Sequence, residues 1–226
     1  MELENYTVKA LFEDLRKTQA GDYLKDFTYP WDALKGIGEL ILKLGKELSP
    51  DEYDTRSDNV WIHKTASVAP TAYIHGPAII GPRTEVRHCA FIRGNALVGK
   101  ECVVGNSTEL KNVIIFDNVQ VPHYNYVGDS ILGFKSHMGA GSITSNVKSD
   151  KTLVVVKDPQ SGGKIETGLK KMGAILGDNV EVGCGSVLNP GTVIGSNTNI
   201  YPLSSVRGCV SAGSIYKKQG EIANKN

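Results

Sequence analysis

Nine aliphatic residues recur at a spacing of six in the first half of this chain: Ile62, Val68, Ile74, Ile80, Val86, Ile92, Val98, Val104 and Leu110. A second run in the same period takes Leu176, Val182, Leu188, Ile194, Ile200 and Val206. Gly follows several of them directly, as at Ile80-Gly81, Val98-Gly99, Leu176-Gly177 and Ile194-Gly195. A helix repeats at 3.6 residues and a strand at 2, so a strict six belongs to neither alone. It predicts an all-β parallel β-helix in which each hexapeptide supplies one short strand and one corner. Three hexads close a triangular coil of about eighteen residues, and coils stack roughly 4.8 Å apart. Each inward aliphatic contributes about 1.5–3 kcal/mol on burial, so these positions alone predict a long, narrow core.

Residues 1–57 lack the hexad and carry helical patterns. Thr7 is placed to cap a helix with Val8, Leu11, Phe12 and Leu15 on one face. After Pro30, a second stripe runs through Leu34, Ile37, Ile41, Leu44 and Leu48, interrupted by Gly36, Gly38 and Gly45. This small N-terminal helical segment is expected to cap the open first coil, because repeat proteins need covered ends; a stripe this apolar also suits a partner. The polar stretch 49–59 reads as a linker. The β-helix domain spans 58–215, and the hexad loses phase between 111 and 145, vanishes over 147–173 and resumes from 174. Within the gap, "TLVVVKDPQSGGKIETGLKK" predicts a projecting β-hairpin, a natural place for function on a rigid stack. Residues 216–226 read as a flexible polar tail.

Composition adds mainly exclusions. A net charge of +1 with no basic run offers nothing to a nucleic acid. No apolar stretch reaches eighteen residues and no signal-peptide pattern opens the chain, so a soluble, cytoplasmic protein with no membrane partner is expected. Cys89, Cys102, Cys184 and Cys209 show no metal-finger spacing and read as reduced thiols.

Arg93 and Lys111 lie eighteen residues apart, each directly after an inward aliphatic, and so on one corner of consecutive coils. Two cations one sheet spacing apart repel by roughly 1 kcal/mol in water and by more when partly buried. An anion such as phosphate would relieve that repulsion, and so would side chains that splay into solvent. His123 falls in "VPHYNYVGDS", where the period breaks, and imidazole is the side chain best suited to take a proton near neutral pH. A solvent-exposed structural role is the alternative. The five histidines are separated by 12, 13, 35 and 14 residues, which matches no short zinc-ligand spacing, so no metal is expected.

The stretch "FIRGNALVGKECVVGNSTELKNVIIFDNVQVPHYNYVGDSILGFKSHMGAGSITSN" resembles the acetyltransferase half of the bifunctional enzymes that make UDP-N-acetylglucosamine from glucosamine-1-phosphate. The archaeal type is closer still, sharing the hairpin followed by "KKMGAILGDNVEVG". The resemblance covers residues 60–210. It implies a left-handed coil, against the usual crossover rule, a homotrimer with sites between coils, and acetyl-CoA as co-substrate. It further implies His123 as general base toward the amine of a hexosamine 1-phosphate, with no covalent intermediate. Arg93, Lys111 and Tyr126 match phosphate contacts, and Asn146 matches an amide that orients acceptor and thioester. The Ala140 N–H matches the oxyanion donor, Cys184 and Arg207 match the coenzyme A side, and Lys151 lies one position from a phosphate-binding lysine.

Two residues depart from the pattern: His137 replaces the usual Asn at the sugar, and Val147 replaces a Tyr. They leave the acceptor sugar open and admit a non-catalytic sugar-phosphate sensor or scaffold as the alternative. No glycine-rich "GxGTR"-like loop occurs in residues 1–57, so nucleotidyl transfer is not expected of this chain.

Overall fold

The computed structural model describes residues 3–56, 59–218 and 221–224. Its strands pair in parallel at a shift of eighteen residues. Ile62 pairs with Ile80 and Ile80 with Val98 on a first face. Val68, Val86 and Val104 follow one another on a second, and Ile74, Ile92 and Leu110 on a third. The hexad is therefore a three-sided parallel β-helix with its aliphatics inside. Only Val68 and Ile74 of the nine, both in the first coil, are partly exposed.

The loss of phase after Leu110 has a simple geometric form. Val98 pairs with Ile115, and Ile115 with Leu132, each seventeen residues on. Leu110 pairs with Val127 at the same reduced shift. One residue drops out of two successive coils at the corner joining the third face to the first, and there Glu109–Ile115 and Tyr126–Leu132 run through as unbroken strands. One coil later the same corner opens, since Leu132 pairs with Leu176 and Thr144 with Leu188. The inserted chain forms an antiparallel pair, Val155–Lys157 with Lys164–Glu166. Val156 in this pair and Val154, Leu169 and Met172 beside it in sequence are buried, and Ser211 Oγ donates to Gln160 Oε1 at 2.6 Å.

The N-terminal segment departs from the expected end cap. It lies along the first face, from the last coils to the first. Ser196 Oγ donates to the Leu11 carbonyl (2.8 Å), Asp117 N–H to the Lys17 carbonyl (2.9 Å), and Asn112 Nδ2 to the Leu34 carbonyl (3.2 Å). The cause is a second apolar row. One residue before each inward aliphatic of this face stands Trp61, Ile79, Leu97, Ile114, Ile131, Ile175, Val193 or Cys209, in continuous register. Strand alternation points these side chains outward, yet all eight are buried. Phe12 packs against Phe116 with ring centroids 4.7 Å apart and the rings tilted by 31°.

Thr7 caps a single turn, α1 (Val8–Leu11), its hydroxyl accepting the Ala10 N–H at 3.3 Å. The helix ends before Leu15, which opens a separate turn capped by Asp14. α2 (Gly21–Leu24) follows, then a 3-10 turn, Pro30–Gly36, that holds Leu34, and then α3 (Ile37–Glu47), which carries Ile37, Ile41 and Leu44 of the second stripe and stops short of Leu48. Its glycines are contact points rather than breaks. A Cβ on Gly38 would meet Asn95 Oδ1 at 2.7 Å, and one on Gly45 would overlap the Trp61 ring.

Each end of the stack gains an antiparallel strand on one of its faces. Tyr53–Arg56, read from sequence as linker, pairs antiparallel with Val60–His63. Glu221–Asn224 pairs antiparallel with Ser214–Lys218, so the segment read as a flexible tail is largely a closing strand. Edge strands left open invite pairing with other chains, and an antiparallel end strand covers that edge on its own face. The remaining tail residues, 219–220 and 225–226, lie outside the described residues. No helix among the described residues is long and apolar enough to cross a membrane.

Candidate active site

The shortened corner carries a ladder of side chains. Asn95, Asn112, Asp129 and Asn146 sit seventeen residues apart on four successive coils. Asn95 Nδ2 lies 3.4 Å from Asn112 Oδ1, and Asn112 Nδ2 donates to Asp129 Oδ1 at 3.0 Å. Asn146 Nδ2 donates to Asp129 Oδ2 at 2.5 Å. Asn95, Asn112 and Asp129 adopt φ of 50°, 55° and 49°, a left-handed region that Asn and Asp tolerate better than other side chains.

Arg93 and Lys111 stand on this corner in consecutive coils, as their spacing predicts. The repulsion between them is already relieved, however, by carboxylates of the chain itself. Arg93 pairs with Glu109 at 2.7 Å and Lys111 with Asp129 at 2.8 Å. The pairs differ in kind: the Arg93 and Glu109 side chains are 47% and 30% exposed, those of Lys111 and Asp129 28% and 6%. The first is a solvent-screened surface pair, easily exchanged for another anion. The second is anchored. Tyr126, on the third face, turns its hydroxyl to within 3.1 Å of Asn146 Nδ2. Gly128 leaves room for it, because a Cβ there would overlap that hydroxyl. Burial, and then the negative charges of Asp129 and Glu109, push the phenol above its ordinary value, so it remains a neutral hydrogen-bonding group.

The opposite corner of the third face, where the second face joins it, carries a different column. His123 ends the strand Gln120–His123 and is exposed. Among the described residues its imidazole has no hydrogen-bond partner; the backbone alone holds it. Its N–H donates to Asn125 Oδ1 (3.0 Å), and its carbonyl accepts the Gly141 N–H (2.9 Å). Buried Asn125 also donates through Nδ2 to the carbonyls of Gly139 (2.9 Å) and Ser142 (3.1 Å). The His123 strand end and the Gly139–Ala140–Gly141 turn are thereby fastened together. Ala140 is exposed, and its carbonyl accepts the Gly185 N–H at 2.9 Å. Its own N–H has no acceptor among the described residues. Cys184 occupies the matching position of the following coil and is exposed.

Two anticipated residues fall elsewhere. His137 lies on the outside of the second face, level with Gln120 and Glu181, and its Nδ1 sits 2.8 Å from Glu181 Oε2. Strand alternation directs it away from the Arg93–Lys111 corner of its own chain. Lys151 stays outside the cavity at the base of the hairpin, held in a turn by its N–H to the Lys148 carbonyl. That cavity of about 460 Å³ is lined instead by Lys148, Lys157 and Arg207, with Ser145, Asn189 and Pro190 among its other walls. Sequence reasoning missed Asp129, Asn112 and Asn125. The seventeen-residue period of 95, 112, 129 and 146 was the available signal for the first two, and Asn125 leaves none. Among the described residues, no group of three or more His, Cys, Asp or Glu side chains gathers as a metal site.

Fold and site together define a hexapeptide-repeat β-helix with a hairpin inserted at a polar corner. The family description "GMPPB C-terminal domain" matches residues 74–183. The chain is 35% identical over 223 residues to a "Bifunctional protein GlmU" of Methanococcus maripaludis, an alignment covering 96% of this chain and 54% of that protein. It is 32% identical to a bifunctional sugar-1-phosphate nucleotidylyltransferase/acetyltransferase of Sulfurisphaera tokodaii, covering 86% and 49%. A hexapeptide transferase family protein from Anaplasma phagocytophilum aligns in structure at a TM-score of 0.45 and 15% identity, covering 74% and 79%. The homologues of this chain are thus the bifunctional sugar-1-phosphate nucleotidylyltransferase/acetyltransferases, archaeal ones included, and it corresponds to their C-terminal part. It spans about half the length of these relatives.

Proposed function

We propose that this protein transfers an acetyl group from acetyl-CoA to the amine of a hexosamine 1-phosphate or a related amino-sugar phosphate, working as a homotrimer. One observation carries the reading. The third face is flanked on one side by an imidazole with no partner among the described residues, fastened to a turn whose Ala140 N–H also has none there, and on the other by paired cations with an anchored amide. That supplies a base and an oxyanion donor beside a phosphate site. The amine attacks the thioester carbon, His123 takes the proton it sheds, and the Ala140 N–H faces the oxygen that gains charge. Collapse breaks the C–S bond and releases coenzyme A as the leaving thiol. Arg93 exchanges Glu109 for the phosphate while Lys111 stays in place, and Arg207 with Lys148 and Lys157 faces the coenzyme's phosphates. Mass spectrometry of products from a panel of amino-sugar phosphates with acetyl-CoA tests this directly. Acceptor binding without any acetylated product would instead support a sensor or scaffold.

The two cations should separate under mutation. Arg93→Ala weakens acceptor binding by one charge-assisted contact, about 1.5–3 kcal/mol, and leaves thermal stability nearly unchanged. Lys111→Ala weakens binding similarly and also lowers the melting temperature, because it strips the buried Asp129 of its counter-charge. Removing one partner of a fully buried pair costs about 3–5 kcal/mol; the cost is smaller here because Asn112 and Asn146 still donate. Equal losses with phosphorylated and dephosphorylated acceptors would contradict the phosphate assignment.

Thiol chemistry tests the coenzyme side. Cys102 and Cys209 are buried. Burial pushes the Cys102 thiol up to about 12, and burial followed by the charge of Asp158 raises that of Cys209. Since the thiolate is the reactive form, only exposed Cys89 and Cys184 should react promptly with a disulfide reagent in the native protein. Desulfo-CoA, which carries no thiol, should slow Cys184 and spare Cys89. Equal protection of both, or of neither, would remove Cys184 from the coenzyme side.

A further inference from the structure

We infer that Asp129 is a positioning residue: its carboxylate sets the direction of the corner ladder and holds the Asn146 amide with its carbonyl oxygen turned away from Asp129, left for the cleft in which the acceptor is proposed to bind. The inference rests on the acetyl-transfer reading only for its effect on rate. A ladder made of four asparagines would run one way, each NH2 donating to the next carbonyl. A carboxylate accepts and cannot donate, so the rungs on both sides must turn their NH2 groups toward it. That is the arrangement seen, with Asn112 donating to one oxygen of Asp129 and Asn146 to the other. The Tyr126 hydroxyl beside the same Asn146 nitrogen completes the constraint. With both of its nearby partners on nitrogen, Asn146 has its Oδ1 left as the group it can offer, and an acceptor oxygen is what orients an incoming amine or a coenzyme amide N–H. Lys111 bonds the same carboxylate at 2.8 Å, so one buried group orders two residues of the proposed site.

The chemistry makes a reversal testable. Asp129→Asn preserves size and suits the left-handed backbone at this position. Its carbonyl oxygen can still accept from Asn112 and Lys111, which leaves its new NH2 facing Asn146. The Asn146 amide must then flip and point NH2 at the cleft. The expected result is a fall in kcat/KM of about 10²-fold, carried mostly by kcat, the scale set by misplacing a reacting group by about 1 Å. Asn146→Asp alone sets two carboxylates together and should also be slow. Combining the two substitutions restores a donor facing an acceptor and again presents an oxygen to the cleft, so the double variant should recover at least tenfold over either single one. A residue that merely filled space would show no such rescue.

A second readout does not depend on turnover. The Asn146 side-chain NH2 signals, identified by their loss in Asn146→Asp, should be protected from solvent exchange in the native protein and lose protection in Asp129→Asn. Native rates in Asp129→Asn, a double variant no better than the worse single one, or unchanged amide protection would each overturn the inference. If the native protein acetylates none of the acceptors, the functional reading fails, and the amide exchange still decides the role of Asp129.

Discussion

Replacing His123 with Ala lowers turnover by about 10²–10⁴-fold, the range for loss of a positioned general base, while the acceptor KM changes little. The side chain is exposed and bonds no described residue. Its removal should therefore shift stability by no more than about 0.5 kcal/mol. Steady-state kinetics beside a thermal melt separate the possibilities. A variant that turns over at the native rate removes His123 from the chemistry, and one that melts much earlier assigns it a structural role. The contrast with Asn125 sharpens the test. Asn125 is buried and ties the His123 backbone to the Gly139 and Ser142 carbonyls. Its loss should cost stability and rate together, whereas the loss of His123 should cost rate alone.

Deleting residues 1–50 should leave a chain that cannot remain soluble in folded form. The deletion re-exposes the eight-residue outer row from Trp61 to Cys209, most of it large and aliphatic. At about 1.5–3 kcal/mol for each large side chain, the loss reaches roughly 10 kcal/mol or more. Typical net stability is only about 5–15 kcal/mol. Even a chain that stayed folded would present an apolar stripe running the length of the stack, the kind of continuous patch that drives association. Soluble yield, size-exclusion profile and melting temperature provide the measurement. A monodisperse truncated protein with native melting would show that something other than this segment covers the first face. Trp61→Ala is a milder version, expected to loosen α3 at Gly45 first, because the helix rests on that ring.

How much of this was legible in the sequence depended on whether the information was local or shared between coils. The inward positions declare themselves because a coil admits one side chain per hexad, and the hairpin because its strands and turn are contiguous. The column of Arg93 and Lys111 was legible because a stack converts a spacing of eighteen into adjacency. Their carboxylate partners were not. Glu109 lies sixteen residues from Arg93 and Asp129 eighteen from Lys111, so stacking brings each within reach of its cation, but only the side-chain directions at the corner decide that they pair. His137 shows the same limit from the other side: similarity in a motif places it near the sugar, yet strand alternation sets it on a different face of its own chain.

The amino-acid order alone therefore determined the coil, its inward aliphatics, the inserted hairpin and the corner of the two cations, since each follows from a repeat whose geometry is rigid. Only the tertiary structure decided where the N-terminal segment lies, because its destination depends on an apolar row assembled from eight separate coils. It also decided which way the ladder at Asp129 points. That direction is set by hydrogen bonds between residues seventeen apart, and no single coil contains both ends of them.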